Sequence, residues 1–414
     1  MANVEKIKRE PVPRGLLRSG PVILSYGFRP FFLGAAVWSA VAMVLWILEI
    51  SFGLGLGGSL GGSAWHAHEM LFGFTSAALA GFLLTAIPNW TGRLPVSGTP
   101  LLGLFSLWLA GRLALLWPGV LGEAASIAID VSFLPVLFLI CGREIVAGRK
   151  WKDLKVLGVL FALGAANGFF HYSNVVLGEV SLPSRIAIGA YLMLIMIIGG
   201  RILPSFTTNW LKKQGATRLP ASYARLDTAS LLVAVGALSL WAIRPYDQIA
   251  GLACLAATAL QGVRLFRWRG WATSAEPLVL ILHVAYAFVV LSFASFAATA
   301  YGLLEPTAAL HVATAGSIGS MTLAVMTRAS RGHTGLELRA SPMTMAAYVA
   351  VVLAGVVRPL TAAFPDLHLE IVGLSGALWI AAFLLFALEY GPVLSSKRKE
   401  MPASRRSMGV NGSP

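Results

Sequence analysis

Apolar runs of about twenty residues recur along the whole of this 414-residue chain. A run of that length spans the roughly 30 Å hydrocarbon core of a bilayer when it forms an α-helix. A backbone inside the bilayer must satisfy its own hydrogen bonds, and repeated runs of this length do so as helices. The sequence therefore predicts an all-α, polytopic helical membrane protein that is surrounded by membrane lipids.

The apolar runs predict twelve spans, which together form a single transmembrane domain at residues 25–391. A polar arm at 1–24 precedes this domain, and a basic tail at 392–414 follows it. The second, sixth and tenth spans have polar ends, and their regular spacing suggests three four-helix units. The predicted spans lie at 31–50, 66–88, 101–118, 124–142, 155–177, 183–204, 227–243, 247–264, 277–301, 308–328, 343–364 and 370–391.

Composition and charge agree with a membrane protein. The chain is 57% hydrophobic and 12% charged, whereas a soluble domain is about 25% charged. The net charge of +14 would suggest a nucleic-acid partner for a soluble protein. Here the basic residues concentrate in alternate loops and in the terminal segments, which the positive-inside rule explains. We therefore expect no nucleic-acid partner, and we place both termini in the cytoplasm.

Cysteine usage leaves histidine as the metal-binding residue type. Cys141 and Cys254 lie far apart inside apolar runs, so the chain offers no disulfide framework and no cysteine-rich metal site. It also has no Cys-x-x-Cys-His motif for covalent haem. The residues before Ser25 are basic and lack the apolar core of a signal peptide, so we expect no removable signal.

The second predicted span opens with three ionisable residues, His66, His68 and Glu69. Such residues are costly at the mouth of a membrane helix and usually have a partner. Side chains two residues apart on a regular helix point about 200° apart. Unless the helix start is unwound, His66 and His68 therefore serve two ligand sets, for instance one haem and one copper. Imidazole binds iron, copper and zinc alike, so the residue type does not select the metal.

Topology places further histidines at the same outer level. His311 opens the tenth span, and His171 lies late in the outward-running fifth span. We predict that His66 or His68, together with His311, binds a metal or a haem iron, and that His171 is a further ligand candidate. His283 lies near the inner end of the ninth span and is a candidate for a separate inner site. The alternative for any one of these histidines is a hydrogen bond to a backbone carbonyl at the interface.

Charged neighbours of these histidines have two interpretations each. Glu69 either orients a metal-bound histidine or is an interfacial carboxylate near a helix N-terminus. Arg112 and Arg185 either pair with haem propionates at the outer face or extend to lipid headgroups. The Gly- and Ser-rich loop at 51–64 is either a lid over the histidines or a slack linker. Arg201 is expected to cross-link helix ends through carbonyls or asparagine side chains.

Four separated segments resemble the NnrS family: WHAHEMLFGF, LTAIPNWTGR, GGRILPSFTTNW and LAVMTRASRGHTG. The resemblance extends from about Ser25 to Tyr390. It implies a twelve-span protein of the bacterial inner membrane that contains haem, expected to be haem b, and copper. It also implies a role in denitrification and in tolerance of nitrosative stress, with nitric oxide as ligand or substrate. The resemblance does not assign metal ligands, so the histidine assignments rest on the residues above.

The large subunit of haem–copper oxidases also has twelve spans, with haem-binding histidines on the second and tenth. The present sequence lacks the copper-site histidine and tyrosine pattern of those enzymes, so oxygen reduction and proton pumping are not expected.

Two functions remain: a haem or haem–copper protein that binds or turns over nitric oxide, and a transporter or metal-handling permease without redox chemistry. A purely regulatory role is a third, although the inner loops are short. The sequence does not decide between enzyme and binding protein, nor does it name an electron donor.

Overall fold

In a computed structural model of the chain, residues 20–398 are described; most of the predicted N-terminal arm and of the basic tail lies outside this range. The described residues are helical and contain no strand, which confirms the predicted all-α class. Twelve helices in this range are long and apolar enough to cross a membrane. They are α1 (Phe28–Phe52), α2 (Gly62–Thr91), α3 (Thr99–Leu116), α4 (Glu123–Ala147), α5 (Trp151–Leu177), α6 (Ser181–Lys213), α7 (Arg225–Ile243), α8 (Gln248–Arg267), α9 (Pro277–Ala300), α10 (Pro306–Thr334), α11 (Pro342–Ala362) and α12 (Pro365–Ser395).

Several helices extend beyond the predicted spans, because a helix does not stop where its apolar run stops. The sixth span is predicted to end at residue 204, but α6 continues to Lys213. The tenth is predicted to end at residue 328, but α10 continues to Thr334. His333, which the sequence places in a loop, therefore lies in the last turn of α10, where its ring stacks on Tyr26 at 5.8 Å between centroids.

The second and tenth helices are central to the bundle. α2 contacts α1, α3, α4, α6 and α10, while α10 contacts α1, α2, α6, α9, α11 and α12. In the most apolar window of α2, 89% of the residues are buried, against 33% to 67% in the other helices. Polar side chains on α2 are thus held away from lipid. The grouping into three four-helix units stays a prediction.

Close backbone packing positions α10 against α11. A Cβ atom added to Gly355 of α11 would lie 2.7 Å from the Cα atom of Gly316 on α10. Small residues at such crossings allow membrane helices to approach closely. The contact lies in the first half of α10, which also carries His311.

Gly355→Ala is expected to force α10 and α11 apart and to destabilise the fold by about 1–3 kcal/mol, the usual effect of overpacking. Gly236→Ala on α7 is the matched control, since a Cβ there meets no atom within 4 Å. Thermal unfolding of both variants in the same detergent measures the difference. Equal melting temperatures for the two variants would show that the crossing tolerates a methyl group.

Candidate metal centre

A π-helical segment follows each of three histidines at one end of the bundle, which we call the histidine end. Such segments insert an extra residue into the helical turn and are frequent at functional sites. Regular helical periodicity predicts that Glu69 shares a face with His66, but Glu69 begins a π segment and bonds to His68 instead. The segments are Glu69–Phe74 after His68, Ser173–Leu177 two residues after His171, and Val312–Gly319 after His311.

His68 is the centre of a buried polar cluster built from α2, α4 and α5. Its Nε2 atom lies 3.1 Å from Oδ2 of Asp130 and 3.0 Å from Oδ1 of Asn167. His171, on the same face of α5 as Asn167, has its Nε2 atom 3.0 Å from the same Asp130 oxygen. One ligand atom each from His68, Asp130 and His171 lie within 4.8 Å of one another, and all three side chains are buried. Within residues 20–398, this is the one such group that can hold a metal ion.

The opposite edge of the His68 ring is held by a second carboxylate. Oε1 of Glu69 lies 3.1 Å from Nδ1 of His68, and Oε2 accepts hydrogen bonds of 2.7 Å from Trp38 and Arg112. Arg112 also donates to Asp130, so one guanidinium bridges the two carboxylates. A carboxylate on the second nitrogen of a histidine fixes the tautomer and the orientation of a metal ligand.

The charged groups of the cluster can balance one another, and a bound metal cation can contribute to that balance. Glu69 and Asp130 carry two negative charges, and Arg112 supplies one positive charge. Both nitrogens of the His68 ring lie within hydrogen-bond distance of carboxylate oxygens, so a doubly protonated ring would supply the second positive charge when no metal is bound. A metal bound at Nε2 would take the place of one of these protons. Because net charge is costly inside a bilayer, a monovalent cation would leave the cluster neutral.

The donor atoms narrow the choice of metal. Two imidazole nitrogens and one carboxylate oxygen suit iron(II), copper and zinc, and they exclude the thiolate-rich centres. Asn167 adds an amide oxygen next to these donors. The fit is therefore to a borderline transition metal rather than to calcium or magnesium, which prefer all-oxygen sites.

His66 lies on the other side of α2 and belongs to a second group of residues, which includes Trp46 and His311. Its ring stacks on Trp46 with 4.6 Å between centroids and 14° between planes, and its buried Nδ1 atom has no hydrogen-bond partner in the described structure. His311 interacts electrostatically with His66, and Arg358 with both. Nδ1 of His311 donates to the Thr307 carbonyl at 2.7 Å, so Nε2 keeps its lone pair for a ligand. The two histidines of α2 thus face two different groups.

Glu305 fixes the start of α10 one turn and a half before His311. Its side chain caps the helix by accepting a 2.9 Å hydrogen bond from the backbone N–H of Ala308. Burial raises the pKa of the Glu305 carboxyl, but hydrogen bonds from Thr307 and Ala308 outweigh burial and hold its pKa below the usual value. The capping carboxylate is therefore charged at neutral pH.

The arginine candidates are divided between the cluster and other parts of the bundle. Arg112 is 2% exposed and bonded to two carboxylates, so it does not extend to lipid headgroups as one interpretation proposed. Arg185 donates from Nε to the Ala242 carbonyl at 2.8 Å, between α6 and α7. The structure therefore brings only one of these two arginines to the histidine cluster.

Two residues near the opposite end of the bundle have local partners. Nε2 of His283 lies 2.8 Å from the Thr207 hydroxyl, away from the histidine end. Arg201 forms an ion pair of 2.7 Å with Asp153, whereas the sequence suggested carbonyl or asparagine partners. The observed partner differs from the expected ones because Asp153, at the start of the neighbouring helix α5, places its carboxylate next to Arg201.

The loop at 51–64 is held against the helices that carry the cluster. The Ser59 hydroxyl bonds to Glu123 at the start of α4, and the Asn174 side chain donates to the Ser59 carbonyl at 3.4 Å. These contacts anchor the loop near both Asp130 and His171. The lid interpretation of the loop stays a prediction.

Sequence reasoning did not single out Asp130, the carboxylate that His68 and His171 share. The signal that points to Asp130 is the group of polar residues on the fourth and fifth spans, since a buried aspartate in a membrane helix needs a partner.

Twelve apolar helices around a buried His–Asp–His cluster define a polytopic membrane protein with a site that can hold a metal ion. A family model described as NnrS protein matches residues 22–398, nearly the whole chain. The chain therefore belongs to the NnrS family, as the four sequence segments indicated. Comparisons with curated proteins and with solved structures find no match.

Proposed function

We propose that this chain is a metal-binding membrane protein of the nitric oxide response, in which His68, Asp130 and His171 hold a transition metal that nitric oxide reaches. The observation that carries this proposal is the convergence of the three donors within 4.8 Å inside the bundle. The family resemblance favours copper, which imidazole nitrogens bind. The donor set also suits iron(II), so metal analysis decides between the two.

The second group, His66 with His311, is our proposed site for haem b. Nε2 of His311 is free to bind iron, because Nδ1 is used by a backbone carbonyl. Arg358 interacts electrostatically with both histidines, and its charge suits the carboxylate of a haem propionate. Haem, when bound, supplies an iron that binds nitric oxide and carries one electron. The residues of the chain would hold the ring and keep water from it.

His311→Ala and His66→Ala are expected to remove most of the haem absorbance, because each removes one of the two histidines that would hold the haem. His368→Ala is the matched control, since His368 is exposed at the start of α12. Reduced-minus-oxidised spectra of the purified variants provide the measurement, normalised to protein concentration. An unchanged spectrum in both variants would refute haem binding at this group.

A transporter is the second candidate, and one observation favours it. Both ring nitrogens of His68 and both carboxylates of the cluster have hydrogen-bond partners without a metal, and buried ionisable networks in membrane bundles often lie on ion pathways. In that case the cluster would take up and release a cation or a proton. Ion flux into proteoliposomes from a metal-free, colourless protein would favour this function over the first.

The localisation that accompanies the proposal is the bacterial inner membrane, with both termini in the cytoplasm. The basic loops of the sequence support this orientation, and it places the histidine end on the outer side. Nitric oxide crosses the bilayer freely as a small apolar molecule, so it would reach the buried cluster without a polar channel.

A further inference from the structure

An apolar cavity lies where α2, α6 and α10 meet, about three helical turns from His68 toward the opposite end of the bundle. It has a volume of about 90 Å³ and is partly open to its surroundings, so it is a narrow groove between the helices. Its walls are almost entirely aliphatic and aromatic, and they include Leu79, Phe82, Ile198, Ile202, Val325 and Met326.

The end of this cavity that faces away from the histidines is bordered by an arginine on an aromatic ring. Arg328 follows Val325 by three residues, and Phe206 follows Ile202 by four, so both lie one turn beyond the cavity on the same helix faces. The guanidinium carbon of Arg328 is 3.9 Å from the centroid of the Phe206 ring.

A second pair of the same kind lies nearby. The guanidinium carbon of Arg201 is 5.7 Å from the centroid of Trp90, and the Trp90 ring packs edge-on against Phe82 of the cavity wall. The cavity therefore combines an apolar interior with a cationic rim.

The two arginines differ in how their charge is compensated. Arg201 has an ion pair with Asp153 at 2.7 Å. Arg328 makes no ion pair within 4.0 Å and no hydrogen bond among the described residues. The carboxylate that interacts with it electrostatically is Glu276, whose Oε1 atom already accepts a hydrogen bond from the backbone of α9. Arg328 thus keeps donors free for an anion.

We propose that the cavity binds one acyl chain of an anionic phospholipid, with the lipid phosphate against Arg328. The apolar walls suit a hydrocarbon chain, and the half-buried guanidinium at the rim suits a phosphate. Basic pockets between helices on the cytoplasmic side are known to bind anionic headgroups, and the positive-inside rule assigns this end to that side. The bound lipid would connect α2, α6 and α10 below the histidine end.

Native mass spectrometry of the full chain in mild detergent tests the proposal, with phosphatidylglycerol and phosphatidylcholine of identical chains as probes. We expect phosphatidylglycerol to bind to the wild type, and Arg328→Gln to weaken that binding about tenfold without affecting phosphatidylcholine. Ala78→Phe, which fills the cavity, is expected to weaken both lipids. Arg269→Gln is the matched control, because Arg269 also lies over an aromatic ring, that of Trp271, between α8 and α9.

Equal binding of the two lipids, with no effect of Arg328→Gln, would overturn the proposal. So would loss of a haem, rather than a lipid, from Ala78→Phe, since that result would assign the cavity to the cofactor. Thr322→Leu fills the same cavity more mildly and replaces Ala78→Phe in the comparison wherever size-exclusion chromatography shows the latter to be misfolded. The lipid measurement does not depend on metal content, so it stands apart from the proposed metal function.

Discussion

His171→Ala and His68→Ala are each expected to abolish stoichiometric metal binding at the His68 cluster. Each variant leaves two donors where the cluster offers three. Loss of a residue that merely supports a metal ligand costs about 10–100-fold in affinity, so loss of a direct ligand is expected to cost more than about 100-fold. Total copper and iron per protein, measured by mass spectrometry on the purified variants, provides the test.

His283→Ala is the control for this experiment, because His283 is equally a buried histidine but bonds to a threonine at the other end of the bundle. It is expected to retain the wild-type metal content. Retention of full metal content by both His68→Ala and His171→Ala would refute the cluster as a metal site.

Arg112→Met is expected to cause the largest loss of stability of any single substitution in the bundle. The side chains of Glu69 and Asp130 are at most 1% exposed, and without Arg112 one of their two negative charges would be uncompensated in a medium of low dielectric constant. Removal of one partner from a buried ion pair costs about 3–5 kcal/mol. Thermal unfolding in detergent measures this change.

Two further variants separate the electrostatic cause from a general packing defect. Glu69→Gln combined with Arg112→Met restores the charge balance and is expected to recover part of the lost stability. Arg93→Gln serves as the comparison, because it removes the arginine of an ion pair near the surface. In the pair between Arg93 and Glu144, the Arg93 side chain is 44% exposed. A pair of that kind contributes at most about 1 kcal/mol. A double variant that is no more stable than Arg112→Met alone would contradict the charge argument.

The number and order of the spans could be predicted from the sequence because hydrophobic length is a local property. Each apolar run predicts its own helix, and twelve were found in the described chain. The helix ends were less accurate, as the continuation of α6 and α10 shows. Polar turns can extend a helix beyond the hydrocarbon region, and apolar length does not detect them.

The composition of the candidate site was only partly predictable. His68 and His171, which the sequence places at the same outer level of the membrane, lie together in the structure. Their shared partner Asp130 was not singled out. Which helices become neighbours is a tertiary property, and a single sequence does not specify that α4 and α5 face α2. The π segment after His68 also changes the direction of the next side chain, Glu69, and the regular period of 3.6 residues cannot anticipate that change.

X-ray absorption at the metal edge of the purified wild-type protein tests the central claim most directly. We expect a transition metal whose nearest ligands are nitrogen and oxygen atoms at about 2.0 Å, with the scattering pattern of two imidazole rings. Nitric oxide is expected to alter the absorption edge. Absence of any bound metal, or a first shell of sulfur ligands, would contradict the assignment of His68, Asp130 and His171 as its ligands.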